Sequence, residues 1–288
     1  MAMAVSSKRP ESFEVVVDSV KQESPDTVTL FFAADGHRDY LAGQYLSIAP
    51  QQFAAIEPLR LELERLKGRR EPPRKYSMSS APHEPLVAIT VKEEEYLPDK
   101  TKYRPLLSGH LVRGLPAGSR VHVFGYAGPY VLPERLPPGQ LVVHVTAGSG
   151  AVPNFSILKD ALHRRLDVRH LWLGSNKRRE DVLFHDELVA LHREHEGRFV
   201  GRVDTLTRER VEGFRFGRLG PELLQELIPA AERGSCLVYA CGAAVPPWER
   251  KAALHAGTEV TPRFMETVLG ALHGMGIEDR RIKRETYG

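Results

Sequence analysis

The feature that most constrains this chain is a change of pattern at a Pro-rich stretch, LPERLPPGQ, residues 132–140. Before it, the runs FEVVVDSV, TVTLFFAA, QYLSIAP, LVAITVK and SRVHVFG are rich in β-branched and aromatic residues. Turn chemistry separates them at Pro25-Asp26, Asp35-Gly36 and Pro116 to Gly118. Short strands at close spacing predict an antiparallel β-barrel over residues 10–136. One segment there breaks the pattern. FAAIEPLRLELERLKGRREPP, residues 53–73, has strong helix formers and alternating charges and ends in Gly68 and a Pro pair, which predicts an inserted helix. After the Pro-rich joint, LVVHVTAGSG, VRHLWLGSN, RFVGRVDTL and CLVYACG alternate with VPNFSILKDALHRR, DVLFHDELVALHREH and GPELLQELIPAAER. Strand–helix alternation predicts an α/β domain over 137–288, with a parallel sheet covered on both faces.

Composition sets limits. The 288 residues fit two domains, and 42% hydrophobic with 27% charged residues allow a packed core. A net charge of +3 lacks the basic excess of a dedicated nucleic-acid binder. No apolar run is long enough for a bilayer, and MAMAVSSKRPESFE lacks the apolar core of a secretory signal, so a cytoplasmic protein is expected. Monomer is the default oligomeric state. Two cysteines, Cys236 and Cys241, are too few for a disulfide framework or an iron–sulfur cluster. His192 and His195 have metal-compatible spacing, but on HREHE they read as a solvated helix face, and no metal is expected.

Two motifs carry chemistry. Gly148, Gly150, Ala151, Val152 and Pro153 lie where a strand runs into a helix. Glycines there let a diphosphate approach the backbone, and the helix N-terminus offers unpaired N–H groups with positive dipole. Arg74-Lys75-Tyr76-Ser77 could hold a phosphate, stack a ring and hydrogen-bond its edge. Taken alone, that tetrapeptide reads better as an edge strand of mixed surface residues.

Together, Arg-x-Tyr-Ser, then Gly-Ser-Gly-x-x-Pro, then Tyr-x-Cys-Gly over residues 12–288 resemble the ferredoxin–NADP⁺ reductase superfamily, in a form without a fused ferredoxin. The resemblance implies bound FAD, with Arg74 at its diphosphate, Tyr76 on the isoalloxazine and Ser77 near flavin N5. Val91 and Lys92 would border the ribityl chain, and Ser108, Gly109 and His110 would bind the diphosphate, although Pro105 stands where the family has Gly. In the second domain, Thr146 and the Gly148–Pro153 turn would take the NADPH diphosphate. Cys241 and Gly242 would lie near the nicotinamide; Ala243 replaces the usual Pro, and a longer loop follows at 246–263. Glu285 and Tyr287, in the closing RIKRETYG, would orient and cover the flavin.

The loop Ser175, Asn176, Lys177 and the residue Arg208 are basic where an adenosine ribose should lie, which favours the 2′-phosphate of NADPH over NADH. The implied reaction is hydride transfer from NADPH to FAD, with electrons passing to a separate ferredoxin or oxygenase-type acceptor. The 53–73 insertion, with Arg60, Arg65, Lys67, Arg69 and Arg70, is a candidate docking surface, though its glutamates suit a merely solvated helix equally well. A stand-alone reductase of free flavin, ferric chelate or oxygen remains open, as does a non-catalytic nucleotide-binding subunit.

Overall fold

The computed structural model describes residues 11–36, 39–98 and 101–287. The chain divides into two compact units, the first reaching Pro129 and the second beginning at Tyr130, with Gln22–Pro25 counted in the second.

The first unit holds β1 (Ser12–Ser24), β2 (Thr27–Ala33), β3 (Tyr45–Ile48), α1 (Glu57–Lys67), β4 (Arg74–Ser77), β5 (Val87–Lys92), α2 (Ser108–Arg113) and β6 (Arg120–Ala127). Its six strands run in the order β4-β3-β6-β1-β2-β5. An antiparallel bridge from Met78 to Ile89 joins the two edges and closes the barrel. Period-two alternation puts Val15, Val17, Leu30, Phe32, Val121 and Val123 into one core. The helix expected in the 53–73 insertion is α1; Gly68, with φ of +62°, ends it.

The second unit holds β7 (Gln140–Ala147), α3 (Ala151–His163), β8 (Val168–Asn176), α4 (His185–Glu194), β9 (Phe199–Leu206), β10 (Arg215–Phe216), α5 (Pro221–Leu227), β11 (Leu237–Ala243), α6 (Pro247–Ala256), α7 (Phe264–Gly274) and β12 (Ile282–Tyr287). Its strands are all parallel, in the order β10-β9-β8-β7-β11-β12. One sheet face packs Val143, Val145 and Val238 against Leu224 of α5 and Val268 and Leu272 of α7. On the other, Phe155 and Leu158 of α3 and Leu188 of α4 cover Trp172.

The structure differs from the sequence reading in detail. DVLFHDELVALHREH becomes helical only at His185, because Phe184 before it takes a left-handed conformation with φ of 57°. GPELLQELIPAAER breaks after Leu227, where Pro229 forbids the α conformation at Ile228. The long loop after Gly242 contains α6, and the closing tail is a sheet strand. No helix among the described residues is long and apolar enough to cross a membrane.

Candidate functional site

In the first unit, β4 places Arg74, Tyr76 and Ser77 opposite Ile48, Leu46 and Tyr45 of β3. Ser77 is buried, and Tyr76 packs on the edge of the barrel core. Burial, and then the charge of Glu94, push the Tyr76 phenol far above its usual range, so it keeps its proton. The backbone N–H of Glu94 donates to Ser108 Oγ at 3.1 Å. Through Glu94 the structure therefore brings Tyr76 and α2 to one patch. Val91 is buried at the end of β5, and the Lys92 ammonium pairs with Asp26 at 2.8 Å. Gly109 lies beside the Glu93 carboxylate. The His110 ring packs on Phe53 at 4.6 Å, and burial lowers its basicity.

The first unit also contains a residue that sequence reasoning missed. Glu71 exposes 1% of its side chain, yet it takes Lys67 Nζ at 2.6 Å and Arg74 at 2.5 Å. Its own N–H donates to Glu64, and its carbonyl accepts from Gln51. The insertion is thus tied to Arg74 through a buried carboxylate. Burial alone would raise Glu71, but Lys67 and Arg74 hold it below its ordinary value of 4.5. Its stabilising contribution is therefore complete above that value and disappears as the pH falls through the lower folded-state value. Glu71→Gln is expected to cost about 1–3 kcal/mol at pH 7. In urea titrations the difference from wild type should shrink towards pH 3; a difference independent of pH would remove the ion pair from the account.

In the second unit, Thr146, next to last in β7, lies between Cys241 of β11 and Gly174 of β8. Gly148 to Gly150 form a tight turn, and Ala151, Val152 and Pro153 make the buried first turn of α3. Gly150 is required by space. A Cβ on it would stand 2.0 Å from the Cys241 carbonyl oxygen and 2.5 Å from its carbon. The turn therefore lies directly on β11. Beside it, β12 sets Glu285 opposite Cys241, and Tyr287 opposite Ala243. Cys241 is wholly buried. Burial, then Glu285, push its thiol well up, while a hydrogen bond from Tyr287 acts in the opposite direction, leaving a neutral thiol. Gly242 follows, packed against the Phe264 ring.

At the adjoining strand ends, Thr205 Oγ1 donates to Ser175 Oγ at 3.2 Å, Thr207 N to the Asn176 carbonyl at 3.0 Å, and Arg208 N to the Lys177 carbonyl at 2.9 Å. These bonds bring the two basic loops together. Lys177 and Arg208 are exposed and enter no ion pair among the described residues. Sequence reading missed two neighbouring stacks: Arg179 lies 5.5 Å from the Phe214 ring and Arg210 3.9 Å from Phe216. These pairs join side chains that show no periodic signal. No cluster of three or more His, Cys, Asp or Glu among the described residues could hold a metal ion.

Residues 145–250 match the family model of the oxidoreductase NAD-binding domain. An NADPH oxidoreductase of Mycobacterium tuberculosis is 31% identical over 209 residues, covering 70% of this chain and 48% of that protein. The chain thus spans about half the length of that relative. The flavohem-like FAD/NAD-binding domain of nitric oxide dioxygenase from Vibrio cholerae superposes with a TM-score of 0.69 at 24% identity, covering 98% of this chain and 100% of that one. A ferredoxin NADP⁺ reductase from Neisseria gonorrhoeae, solved with bound FAD and NADP, gives a TM-score of 0.66 at 22% identity, with 96% and 98% covered. The chain accordingly shares the two-domain fold of these structures, and its second unit contains a match to the oxidoreductase NAD-binding domain.

Proposed function

We propose that the chain is an FAD-dependent NADPH oxidoreductase that passes electrons to a separate protein, a ferredoxin or an oxygenase component. The observation that carries this reading is the C-terminal edge of the parallel sheet. There a turn with no room for a Cβ, the N-terminus of α3, Cys241 and Glu285 converge. Backbone N–H groups and helix dipole at such a turn fit a diphosphate. In the barrel, Arg74 and the N–H groups of Ser108, Gly109 and His110 would hold the FAD diphosphate. Tyr76 and Ser77 would meet the ring, and the Val91–Lys92 backbone would border the ribityl chain. Bound FAD would supply the acceptance of an electron pair and its release one electron at a time. The protein's share is orientation and exclusion of water: a neutral Cys241 thiol, Glu285 and Tyr287 shape the nicotinamide end, and Glu71 fixes the Arg74 guanidinium.

Selection of NADPH rests on Lys177 and Arg208, whose charges are not committed elsewhere. A charge-assisted contact to a 2′-phosphate is worth about 1.5–3 kcal/mol, so Arg208→Ala should raise KM for NADPH by about 10–100-fold and barely alter NADH kinetics. Equal changes for both nucleotides would remove Arg208 from the phosphate site. The reading as a whole is tested by anaerobic titration of the FAD-loaded protein with NADPH and NADH. Bleaching of the flavin band at lower NADPH than NADH is expected. A protein that takes up no FAD, or whose flavin neither nucleotide reduces, refutes it.

For the acceptor, the structure narrows the basic surface of the insertion. Arg60 pairs with Glu57 and Glu64, and Lys67 with Glu71, so neither belongs to it. Arg65, Arg69 and Arg70 remain exposed, beside Leu61 and Leu66, which are 52% and 56% exposed. Basic residues around exposed leucines suit an acidic protein partner. Arg69→Glu with Arg70→Glu should slow reduction of an acidic ferredoxin about tenfold or more at low salt, with ferricyanide reduction retained. Equal loss of both activities would place the arginines outside any docking surface.

A further inference from the structure

Under α3 the parallel sheet does not present the aliphatic surface found on its other side. His144 of β7 and His170 of β8 lie there wholly buried, together with Tyr239 of β11. Asn154 of α3, also fully buried, stands over them. Its Nδ2 donates to the Gly150 carbonyl at 3.2 Å and to the Tyr130 hydroxyl at 2.9 Å. Its Oδ1 meets His144 Nδ1 at 2.8 Å, and His144 Nε2 meets His170 Nδ1 at 3.1 Å.

The direction of every bond in this chain follows from one atom. A backbone carbonyl can only accept, so the amide end facing Gly150 must be the NH₂ end. Asn154 Oδ1 then accepts, which puts a proton on His144 Nδ1 and leaves its Nε2 as an acceptor. That acceptor in turn requires a proton on His170 Nδ1. The row therefore donates one way, from His170 to His144 to Asn154 to Gly150 and Tyr130. Its far end, His170 Nε2, has no hydrogen-bond partner among the described residues. Its near end holds the residue whose Cα touches the Cys241 carbonyl. The Tyr130 ring meets Tyr239 edge-on at 5.2 Å, two residues before Cys241 on the same strand.

We propose that Asn154 is a positioning residue: its amide, oriented by His144 and His170, clamps the Gly150 carbonyl and so holds the Gly148–Pro153 turn and the Cys241 strand in register for the nucleotide. This rests on the reading above that the turn takes the nucleotide diphosphate. Pinning the turn by the Gly150 carbonyl uses none of its N–H groups. Neutral imidazoles are a condition of the arrangement, and burial keeps both rings neutral.

Two measurements on the full FAD-loaded chain test it. Long-range ¹H–¹⁵N correlation of the histidine rings should show His144 and His170 as Nδ1–H tautomers; an Nε2–H proton on either overturns the chain of donors. Asn154→Asp keeps the shape and loses both donated bonds. It is expected to raise Kd for NADP⁺ and KM for NADPH about tenfold with kcat within about twofold, whereas Tyr130→Phe, which spares Gly150, should change each less than about threefold. Should Asn154→Asp fail to fold, Asn154→Ala carries the same expectation without the added carboxylate. A folded variant that binds NADP⁺ like wild type, or one that loses kcat and KM together with thermal stability, overturns the positioning role. Wild-type protein that binds no NADP⁺ overturns the nucleotide reading and the role with it, while the tautomers still report whether the donor row exists.

Discussion

Gly150→Ala is expected to destabilise the second unit by about 3–5 kcal/mol, because the added methyl would overlap backbone instead of a movable side chain. The colliding atoms are the carbonyl oxygen and carbon of Cys241 and the nitrogen of Gly242, at 2.0, 2.5 and 3.0 Å. Relief requires moving either β11, which is paired on both sides, or the N-terminus of α3. A loss of that size should lower Tm by about 10 °C. Gly270, inside α7, is the matched control: nothing lies within 4 Å of a Cβ there, so Gly270→Ala should stabilise by about 0.5–1 kcal/mol. Scanning calorimetry of the two variants decides the matter. If Gly150→Ala melts within about 2 °C of wild type, the contact with Cys241 is not as close as described.

The second large effect is a loss of stability in mild acid. Burial pushes His144 down to about 4, partly opposed by its bond to Asn154. His170 lies well below its ordinary value of 6.5, through burial and then the neighbouring His144, with Arg198 and His195 adding to the shift. Both rings titrate near 6.5 once unfolded. Between that value and the folded-state one, the unfolded chain takes up protons that the folded chain refuses, so stability is full above about pH 6.5 and declines as the pH falls. For His144 the decline levels off near pH 4. The drop from 6.5 to about 4 corresponds to about 3 kcal/mol, with His170 adding to it. The urea midpoint should thus fall steeply from pH 7 to 4.5, above the range of ordinary carboxylates, and His144→Gln should flatten the slope. A midpoint unchanged over that interval would mean that the rings are not held neutral.

Much of this architecture is legible in the sequence because its signals are local. β-branched runs punctuated by turns give the barrel strands, and strand–helix alternation gives the parallel sheet. The insertion's helix follows from LRLELERLK and the glycine that stops it. What the sequence hides depends on partners far along the chain. RIKRETYG shows no hydrophobic alternation and becomes a strand because β11 offers a free edge. Phe264–Gly274 gives no reading in the sequence, yet its Met265, Val268 and Leu272 find the sheet. His144 sits in the apolar run LVVHVTA, where nothing local announces Asn154 ten residues later or His170 beyond it. Glu71 looks like one more charge in a charged stretch, and only the fold buries it between Lys67 and Arg74. For the candidate site, residue types in order were enough to single out the Gly148–Pro153 turn, Cys241 and the tail. The register that sets Cys241 against Glu285 required the sheet.

The unlike faces of the parallel sheet have a consequence for anyone redesigning this protein. Valines and leucines meeting α5 and α7 form a surface of interchangeable volumes, where conservative swaps should be absorbed by neighbouring methyl groups. The side under α3 offers no such latitude, since each ring or amide there fixes the proton on the next and a single exchange propagates along the row. Libraries aimed at robustness belong on the first side, and those aimed at nucleotide handling on the second, where few members should survive.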